Sequence, residues 1–221
     1  MKKNKILFMA IATLLLTSGC FGEEQSEINS NLAETKNNMI NNLETYSYDV
    51  IMTTDVSYMT IETEMNCAAD LNSEITYCKS TTMGIITETY TDYGNDITYS
   101  NTTYTDWESS SLDSSINQID GYLNVIEYIY DVKTEETSTG TLYSGYIDSS
   151  KLLGAMSESD DSLSSSSADE NSIYIEVLVN DDNYVETIYY DMEISGMSYE
   201  IEVEYYDYNT SKSLVIPDIL Q

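Results

Sequence analysis

The hydrophobic pattern of the chain changes its period near residue 45. Over residues 23–44 the apolar positions recur at helical spacing, in one stripe made of Ile28, Leu32, Met39, Ile40 and Leu43. After this point they recur at every second position, at Tyr46, Tyr48, Val50, Met52, Val56 and Tyr58. The pattern therefore predicts an amphipathic helix followed by a β-strand that has one face toward a core.

Alternation returns in the last quarter of the chain. Residues 199–205 read YEIEVEY, with Tyr, Ile and Val on one face and three Glu on the other. Two further alternating runs, 173–179 and 184–194, flank the turn sequence NDDN, which predicts a hairpin. Short apolar clusters at 112–119 and 149–156 predict two brief helices. The apolar face of such a sheet must be covered by helices or loops.

One internal segment has the composition of a loop. Residues 157–171 contain seven Ser and five acidic residues in fifteen positions, and we predict that they are disordered. The rest of the chain is short enough to form one domain, which we place at residues 26–221.

The N-terminus has the pattern of an export signal. Lys2, Lys3 and Lys5 precede an uncharged apolar run at 6–16, which is too short to span a membrane. The run ends in LTSGC, which resembles the lipobox of prokaryotic lipoproteins. We predict that residues 1–19 are a signal peptide, that Cys20 carries lipid, and that residues 20–25 form a tether. The alternative is an uncleaved N-terminal anchor. Both place the domain at the cell membrane, facing the extracytoplasmic side.

The charge of the chain excludes nucleic acid as a partner. There are 39 Asp and Glu against 8 Lys and Arg, no His, and a net charge of −31. Such a chain repels the phosphate backbone and anionic lipid headgroups. Low hydrophobicity with high charge is typical of disorder, but here 41% of residues are hydrophobic and 21 are Tyr, enough to form a core.

Cys67 and Cys78 lie on either side of a turn-like segment. If both flanks are strands of one hairpin, the residues that face each other have numbers that add to 145, and the two Cys are opposed. Opposed residues are close enough for a disulfide, which persists outside the cytoplasm. Two free buried thiols and a functional pair are the alternatives. Cys67 shares a face with apolar residues, whereas Cys78 shares one with Thr76 and Ser80, so either a bulge shifts the register or both faces are partly covered.

Residues suited to catalysis are scarce. Without His the usual general base is missing, and no G-x-S-x-G motif occurs. Glu202 and Glu204 alternate on a predicted solvated strand face, and the acidic pairs near 160 and 181 show no EF-hand pattern. We predict neither an enzyme, a cofactor nor a specific metal site.

The order of several segments resembles LolA/LppX/LprG-type lipoproteins. The segments that carry this resemblance are NNLETYSYDVIMTTDVSY (41–58), ADLNSEITY (69–77), TETYTDYGNDITYSNTTYTDW (87–107), IYIEVLVNDDNYVETIYYDM (173–192) and YNTSKSLVIPDIL (208–220). The resemblance implies an α+β fold, in which a curved antiparallel β half-barrel has an N-terminal helix and short helices covering its open face. In that family the cavity binds lipid or lipoprotein acyl chains.

The resemblance implies a membrane-anchored lipoprotein that binds a lipid or another hydrophobic ligand. Candidates for the cavity lining are the inward-facing Leu32, Met39, Val50, Met52, Met65 and Met192, because Met side chains adapt to irregular ligands. The Tyr and Met excess has a second interpretation, in which these side chains simply fill the core. In that case the protein is a structural or adhesive surface lipoprotein with a filled half-barrel.

Overall fold

The structure is a computed structural model, and it describes residues 21–112, 121–149, 151–152, 172–194, 197–210 and 212–221. Its elements are the helix α1 (Phe21–Asn42) and the strands β1 (Thr45–Val56), β2 (Met59–Asp70), β3 (Ile75–Thr82), β4 (Ile85–Asp92), β5 (Ile97–Thr102), β6 (Thr105–Ser111), β7 (Tyr130–Glu136), β8 (Gly140–Asp148), β9 (Ser172–Asn180), β10 (Val185–Ile194) and β11 (Met197–Tyr206). Short 3₁₀ helices span Leu123–Tyr128 and Asp218–Leu220.

The described strands form one antiparallel sheet of eleven, in the order β6-β5-β4-β3-β2-β1-β11-β10-β9-β8-β7. Two meanders, β1 to β6 and β7 to β11, join where β1 pairs with β11, with Val50 opposite Val203. Among the described residues β6 and β7 each pair on one side only, so the sheet is curved but open. The predicted half-barrel with an N-terminal helix and short helices is therefore confirmed, with more strands than the patterns indicated.

Helix α1 packs on one face of the sheet, which we call the inner face. Its buried residues Leu32, Met39 and Leu43 join the same core as Val50 and Val203. The Met39 sulfur accepts a hydrogen bond from the Val185 backbone at 3.2 Å. Lys36 forms a 3.0 Å ion pair with Glu127 of the 3₁₀ helix, so α1 and that helix cover the core together.

The polarity of the two faces inverts between β2 and β3. On β1, β2 and β8–β11 the inner face is mainly apolar, and on β1 and β11 the outer face carries carboxylates. On β3–β6 the inner positions are mostly Thr and Ser, and the outer face instead carries Ile75, Tyr90, Tyr99 and Trp107. The β2–β3 register is continuous, so no bulge accounts for the position of Cys78 among polar neighbours. Instead, both faces of the sheet are partly covered in this region.

The C-terminal segment covers the outer apolar strip of β3–β6. The Asp70 carboxylate accepts a hydrogen bond from the Leu214 backbone at 3.1 Å, which brings the segment around the end of β2. Ile216 and Leu220 pack against Ile75 and form a second buried hydrophobic cluster with it. The sheet is thus covered on one face by the first helix and on part of the other by the last ten residues.

The structure extends one predicted element and leaves others outside its description. Helix α1 begins at Phe21, so residues 21–25, predicted to be a tether, are helical. The described residues 149, 151 and 152 are helical, in line with the short helix predicted at 149–156. The signal peptide at 1–19, Cys20, residues 113–119 of the short helix predicted at 112–119 and the loop at 157–171 lie outside the described residues.

Candidate functional site

The hairpin turns divide the sheet into two ends. At the upper end, two-residue turns at Ser57–Tyr58, Met83–Gly84 and Thr103–Tyr104 join the strands of three adjacent hairpins. At the lower end, the turns at 71–74 and 93–96 are longer. Helix α1 contacts the lower end, where Thr35 Oγ1 lies 2.6 Å from Asn183 Oδ1 in the turn between β9 and β10.

Three of the predicted cavity residues fill the core under α1. Leu32 and Met39 are completely buried, and Val50 is 2% exposed. Met192 is almost buried on β10, opposite Tyr199 of β11. These four side chains pack against protein and leave little surface for a ligand.

The other two predicted residues, Met52 and Met65, are partly exposed on the inner face. Met65 pairs directly with Val50 across β2 and β1, and Met52 is two positions further up β1. Ile61 and Tyr199 extend the same half-exposed apolar surface, and the cavity prediction omitted both. Their positions could have been read from the alternation of their strands. We call Met52, Ile61, Met65 and Tyr199 the upper apolar patch.

Beside this patch the inner face becomes a wall of hydroxyl groups. Its members share alternate positions on β3, β4 and β5 and are Thr76, Ser80, Thr82, Thr87, Thr89, Thr91, Thr98, Ser100 and Thr102. Thr82 shares a 2.8 Å hydrogen bond with Thr63 of β2. Except for the buried Thr76, these side chains are half-exposed. The alternation of Thr and Ser in TETYT and ITYSNT is the signal in the sequence that indicates this wall.

Cys67 and Cys78 form the predicted disulfide at the boundary between the apolar and hydroxyl regions. The S–S distance is 2.10 Å, the Cα atoms are 4.2 Å apart, and the two residues are directly opposed, as the register predicted. The Tyr48 hydroxyl lies 4.0 Å from the Cys78 sulfur. The bond ties β2 to β3 at the point where the inner face changes character.

Charge is confined to other parts of the sheet. From β1 to β5 the inner positions carry no Asp, Glu or Lys in the part of the chain that the structure describes. An inner surface of apolar and hydroxyl groups can bury hydrocarbon and hydrogen-bond a polar group. No group of three or more His, Cys, Asp or Glu among the described residues is placed to hold a metal ion.

The outer face carries a shallow depression of about 210 Å³ near the junction of β1 and β11. Its outward-facing lining residues are Asp49, Ile51, Glu64, Asn66, Glu202 and Glu204. Four carboxylates make this depression unsuitable for an acyl chain, and it lies on the face away from α1. We therefore place the candidate ligand site on the inner face.

Tyrosines on the outer face are hydrogen-bonded to carboxylates. Tyr206 donates to Asp49 at 2.9 Å, and Asn66 donates to the same oxygen at 2.7 Å. Burial, together with the bond to Asp49, raises the pKa of Tyr206 to about 12. Burial and a 2.6 Å bond to Glu176 likewise raise the pKa of Tyr174 to about 12. These hydroxyls stay protonated at neutral pH and help to hold the acidic face together.

The chain is similar in fold to one solved lipoprotein structure, although no protein-family model and no curated protein sequence matches it. None of the described helices is long and apolar enough to cross a membrane. Lipoprotein LppX of Mycobacterium tuberculosis superposes with a TM-score of 0.56 at 12% identity, over 85% of this chain and 98% of LppX.

Two other solved structures match less well. A LolA superfamily protein from Nitrosomonas europaea gives a TM-score of 0.30 at 9% identity, over 87% of this chain and 96% of its own. A DUF1329 family protein from Desulfovibrio piger gives 0.34 at 8% identity, over 86% of this chain and 95% of its own. The resemblance predicted from the sequence is confirmed at the level of the fold: this chain has the fold of LppX.

Proposed function

We propose that the protein is a membrane-anchored extracytoplasmic lipoprotein that binds a lipid or another hydrophobic ligand on the inner face of its sheet. The observation that carries this proposal is the upper apolar patch. All four residues are only partly covered, and three of them, Met52, Met65 and Tyr199, pack against the fully buried core. Apolar surface of this kind is stabilised when it is removed from water.

The arrangement of the inner face fits an amphiphile. Hydrocarbon would lie on the upper apolar patch, and a polar headgroup would meet the hydroxyl wall on β3–β5. Hydroxyl groups both donate and accept hydrogen bonds, so the wall can satisfy an uncharged headgroup without a positively charged side chain. The lack of Lys on this part of the inner face disfavours a ligand whose binding depends on phosphate charge.

Anchoring is supported by the N-terminal sequence. A basic start, a short apolar run and SGC precede the domain, whose described part starts with helix α1 at Phe21. The similar structure of LppX is itself described as a lipoprotein. Stable attachment requires two acyl chains, because one chain binds a bilayer only marginally.

A structural or adhesive surface lipoprotein is the second candidate. It is favoured by the burial of Leu32, Met39 and Val50, three of the six predicted cavity residues, in a packed core. In this case the inner face is filled by the protein itself, and the upper apolar patch has no ligand.

Native mass spectrometry of the purified protein separates the two candidates. A carrier should release a bound lipid on collisional activation, and after delipidation it should take up a fluorescent fatty-acid probe in moderate salt. A protein that shows neither co-purified lipid nor probe uptake would be assigned to the structural role.

A further inference from the structure

The upper turns of the sheet expose a row of large apolar side chains. Tyr58 is 88% exposed, Met83 71% and Tyr104 80%, and each lies in a different two-residue turn. The turns belong to the adjacent hairpins β1–β2, β3–β4 and β5–β6. Met59, Ile85 and Ile86 flank them and are also exposed, at 40%, 42% and 38%. We call these six residues the tip row.

The lower end of the same strands has the opposite character. Its turns expose Asn72, Ser73 and Glu74 between β2 and β3, and Gly94, Asn95 and Asp96 between β4 and β5. Asp70 and Asp92 cap these turns by accepting hydrogen bonds from the backbones of Ser73 and Asn95, at 3.0 and 2.9 Å. The lower turns therefore expose polar residues that water solvates, although Glu74 and Asp96 also have a positive φ, of +53° and +54°.

The upper turns depart from that chemistry at a cost. Met83 has a φ of +50° and is followed by Gly84 at +81°, a conformation for which the first position favours Asn or Asp. A Met side chain there is strained and, at 71% exposure, gains little from packing. The same end thus combines exposed apolar side chains with a turn residue that local structure does not favour.

We propose that the tip row is a docking surface for a lipid bilayer. On docking, the side chains of Tyr58, Met83 and Tyr104 insert into the headgroup region. Neighbouring hairpin tips are about 10 Å apart, because each hairpin contributes two strands at about 4.8 Å. Three separated prongs fit a soft, deformable phase better than a rigid protein surface. Tyr is favoured at the membrane interface because its ring is apolar and its hydroxyl is polar.

Charge selects the kind of bilayer. The turns and their flanks, at 55–60, 82–87 and 102–106, contain no Lys or Arg and two acidic residues, Asp55 and Asp106. Docking therefore depends on apolar contact, and it favours uncharged or zwitterionic lipid over anionic lipid. The tip row adjoins the upper apolar patch, since Met52 is four positions below Val56 at the top of β1. A docked bilayer would lie beside the open part of the inner face.

Site-specific fluorescence tests this proposal in the full chain. Cys20→Ser leaves Cys67 and Cys78 in their disulfide, so one introduced Cys is the single free thiol. A nitrobenzoxadiazole probe is attached at Met83→Cys, at Tyr104→Cys or, as the lower-end control, at Asn95→Cys. With phosphatidylcholine vesicles the two upper probes should shift to shorter wavelength and at least double their emission, while the control stays unchanged. The control accounts for any vesicle binding through residues 6–16.

Two further measurements complete the test. Tyr58→Ser, Met83→Ser and Tyr104→Ser together should weaken vesicle partitioning at least tenfold without changing the thermal unfolding midpoint. Phosphatidylglycerol vesicles should bind more weakly, and added salt should reduce the difference. The proposal is overturned if the upper probes do not respond, if the Asn95 probe responds equally, or if the triple variant partitions like its parent. Delipidated protein is used throughout, so failure here leaves ligand binding on the inner face to be judged separately.

Discussion

Cys67 and Cys78 face each other across β2 and β3, with Cα atoms 4.2 Å apart, where the inner face of the sheet changes from apolar to hydroxyl-lined. Cys67 is 4% exposed and belongs to the main core, whereas Cys78 is half-exposed beside the Thr and Ser positions. The disulfide thus fastens two regions of the sheet that bury their apolar residues on opposite faces.

Removing this bond should destabilise the domain. The double variant Cys67→Ala and Cys78→Ala is expected to lose about 2–3 kcal/mol of unfolding free energy, because the unfolded chain is no longer closed into a loop. Urea unfolding with and without reductant measures the effect. Reductant should destabilise the parent and leave the double variant unchanged, and a parent whose midpoint is insensitive to reductant would contradict the prediction.

A bulky side chain on the upper apolar patch should block ligand binding. Met52→Trp places an indole on the half-exposed inner face, whereas Ile51→Trp, one residue away, places it on the outer face at a position 42% exposed. We expect Met52→Trp to lose at least tenfold in affinity for a fatty-acid probe and Ile51→Trp to bind normally. Circular dichroism checks that both remain folded. Equal binding by the two variants would place the ligand elsewhere.

The C-terminal segment should contribute to stability through one of two neighbouring residues. Ile216 is 7% exposed in the cluster with Ile75 and Leu220, and Val215 is 74% exposed. Ile216→Ala should lower the free energy of unfolding by about 2 kcal/mol or more. Val215→Ala should change it by less than about 0.5 kcal/mol. Trp107 packs against this cluster, so its fluorescence reports the unfolding. Equal losses would show that the segment does not cover the sheet.

Like charges lie directly opposite each other on the outer face. Asp49 of β1 faces Glu204 of β11. Glu204→Gln should stabilise the domain by about 0.5 kcal/mol at low salt, because opposed like charges on a sheet repel. The gain should shrink at high salt. Glu193→Gln is the matched control, since Glu193 faces Ser198. A gain at position 193 as large as that at 204 would refute the pairwise explanation.

Stability should fall at alkaline pH. The pKa of Tyr206 is raised to about 12 by burial and by its bond to Asp49. Below pH 10 this hydroxyl is protonated in both states, but between about 10 and 12 the unfolded state ionises first and is favoured. Denaturant unfolding between pH 8 and 12 should show the loss, and Tyr206→Phe should show a smaller one. If Tyr206→Phe lost as much unfolding free energy at alkaline pH as the parent, a role for this residue would be excluded.

Sequence patterns predicted the fold where one face of a strand is apolar and the other polar. Val50, Val203 and their neighbours alternate cleanly, and the disulfide register followed from residue numbers alone. The pattern was harder to interpret on β3 and β4, because each face there is partly covered. Ile75 and Tyr90 pack under the C-terminal segment, some 125 residues or more further along the chain, and no local period encodes such a contact.

The candidate site was predicted in part. The sequence correctly predicted that Val50, Met52 and Met65 face inward, because alternate positions of a strand lie on the same face of the sheet. Whether an inward residue is buried by a helix or left partly exposed depends on where α1 crosses the sheet. Its contacts with Val185, at the lower end of β10, and with Glu127, in the 3₁₀ helix before β7, are both tertiary. The alternation therefore could not distinguish the buried Val50 from the half-exposed Met52.

The inversion of the two faces sets the order in which this chain can complete its fold. The pairing of β1 with β11 joins residues about 150 positions apart, such as Val50 and Val203. Such distant pairings form slowly. The outer strip on β3–β6 is covered by Leu214 to Leu220, which follow all the described strands in the sequence. Until those residues arrive, Ile75 and Tyr90 stay uncovered. The packing of strands β3–β6 is therefore complete only when a segment that follows all eleven described strands has closed over them.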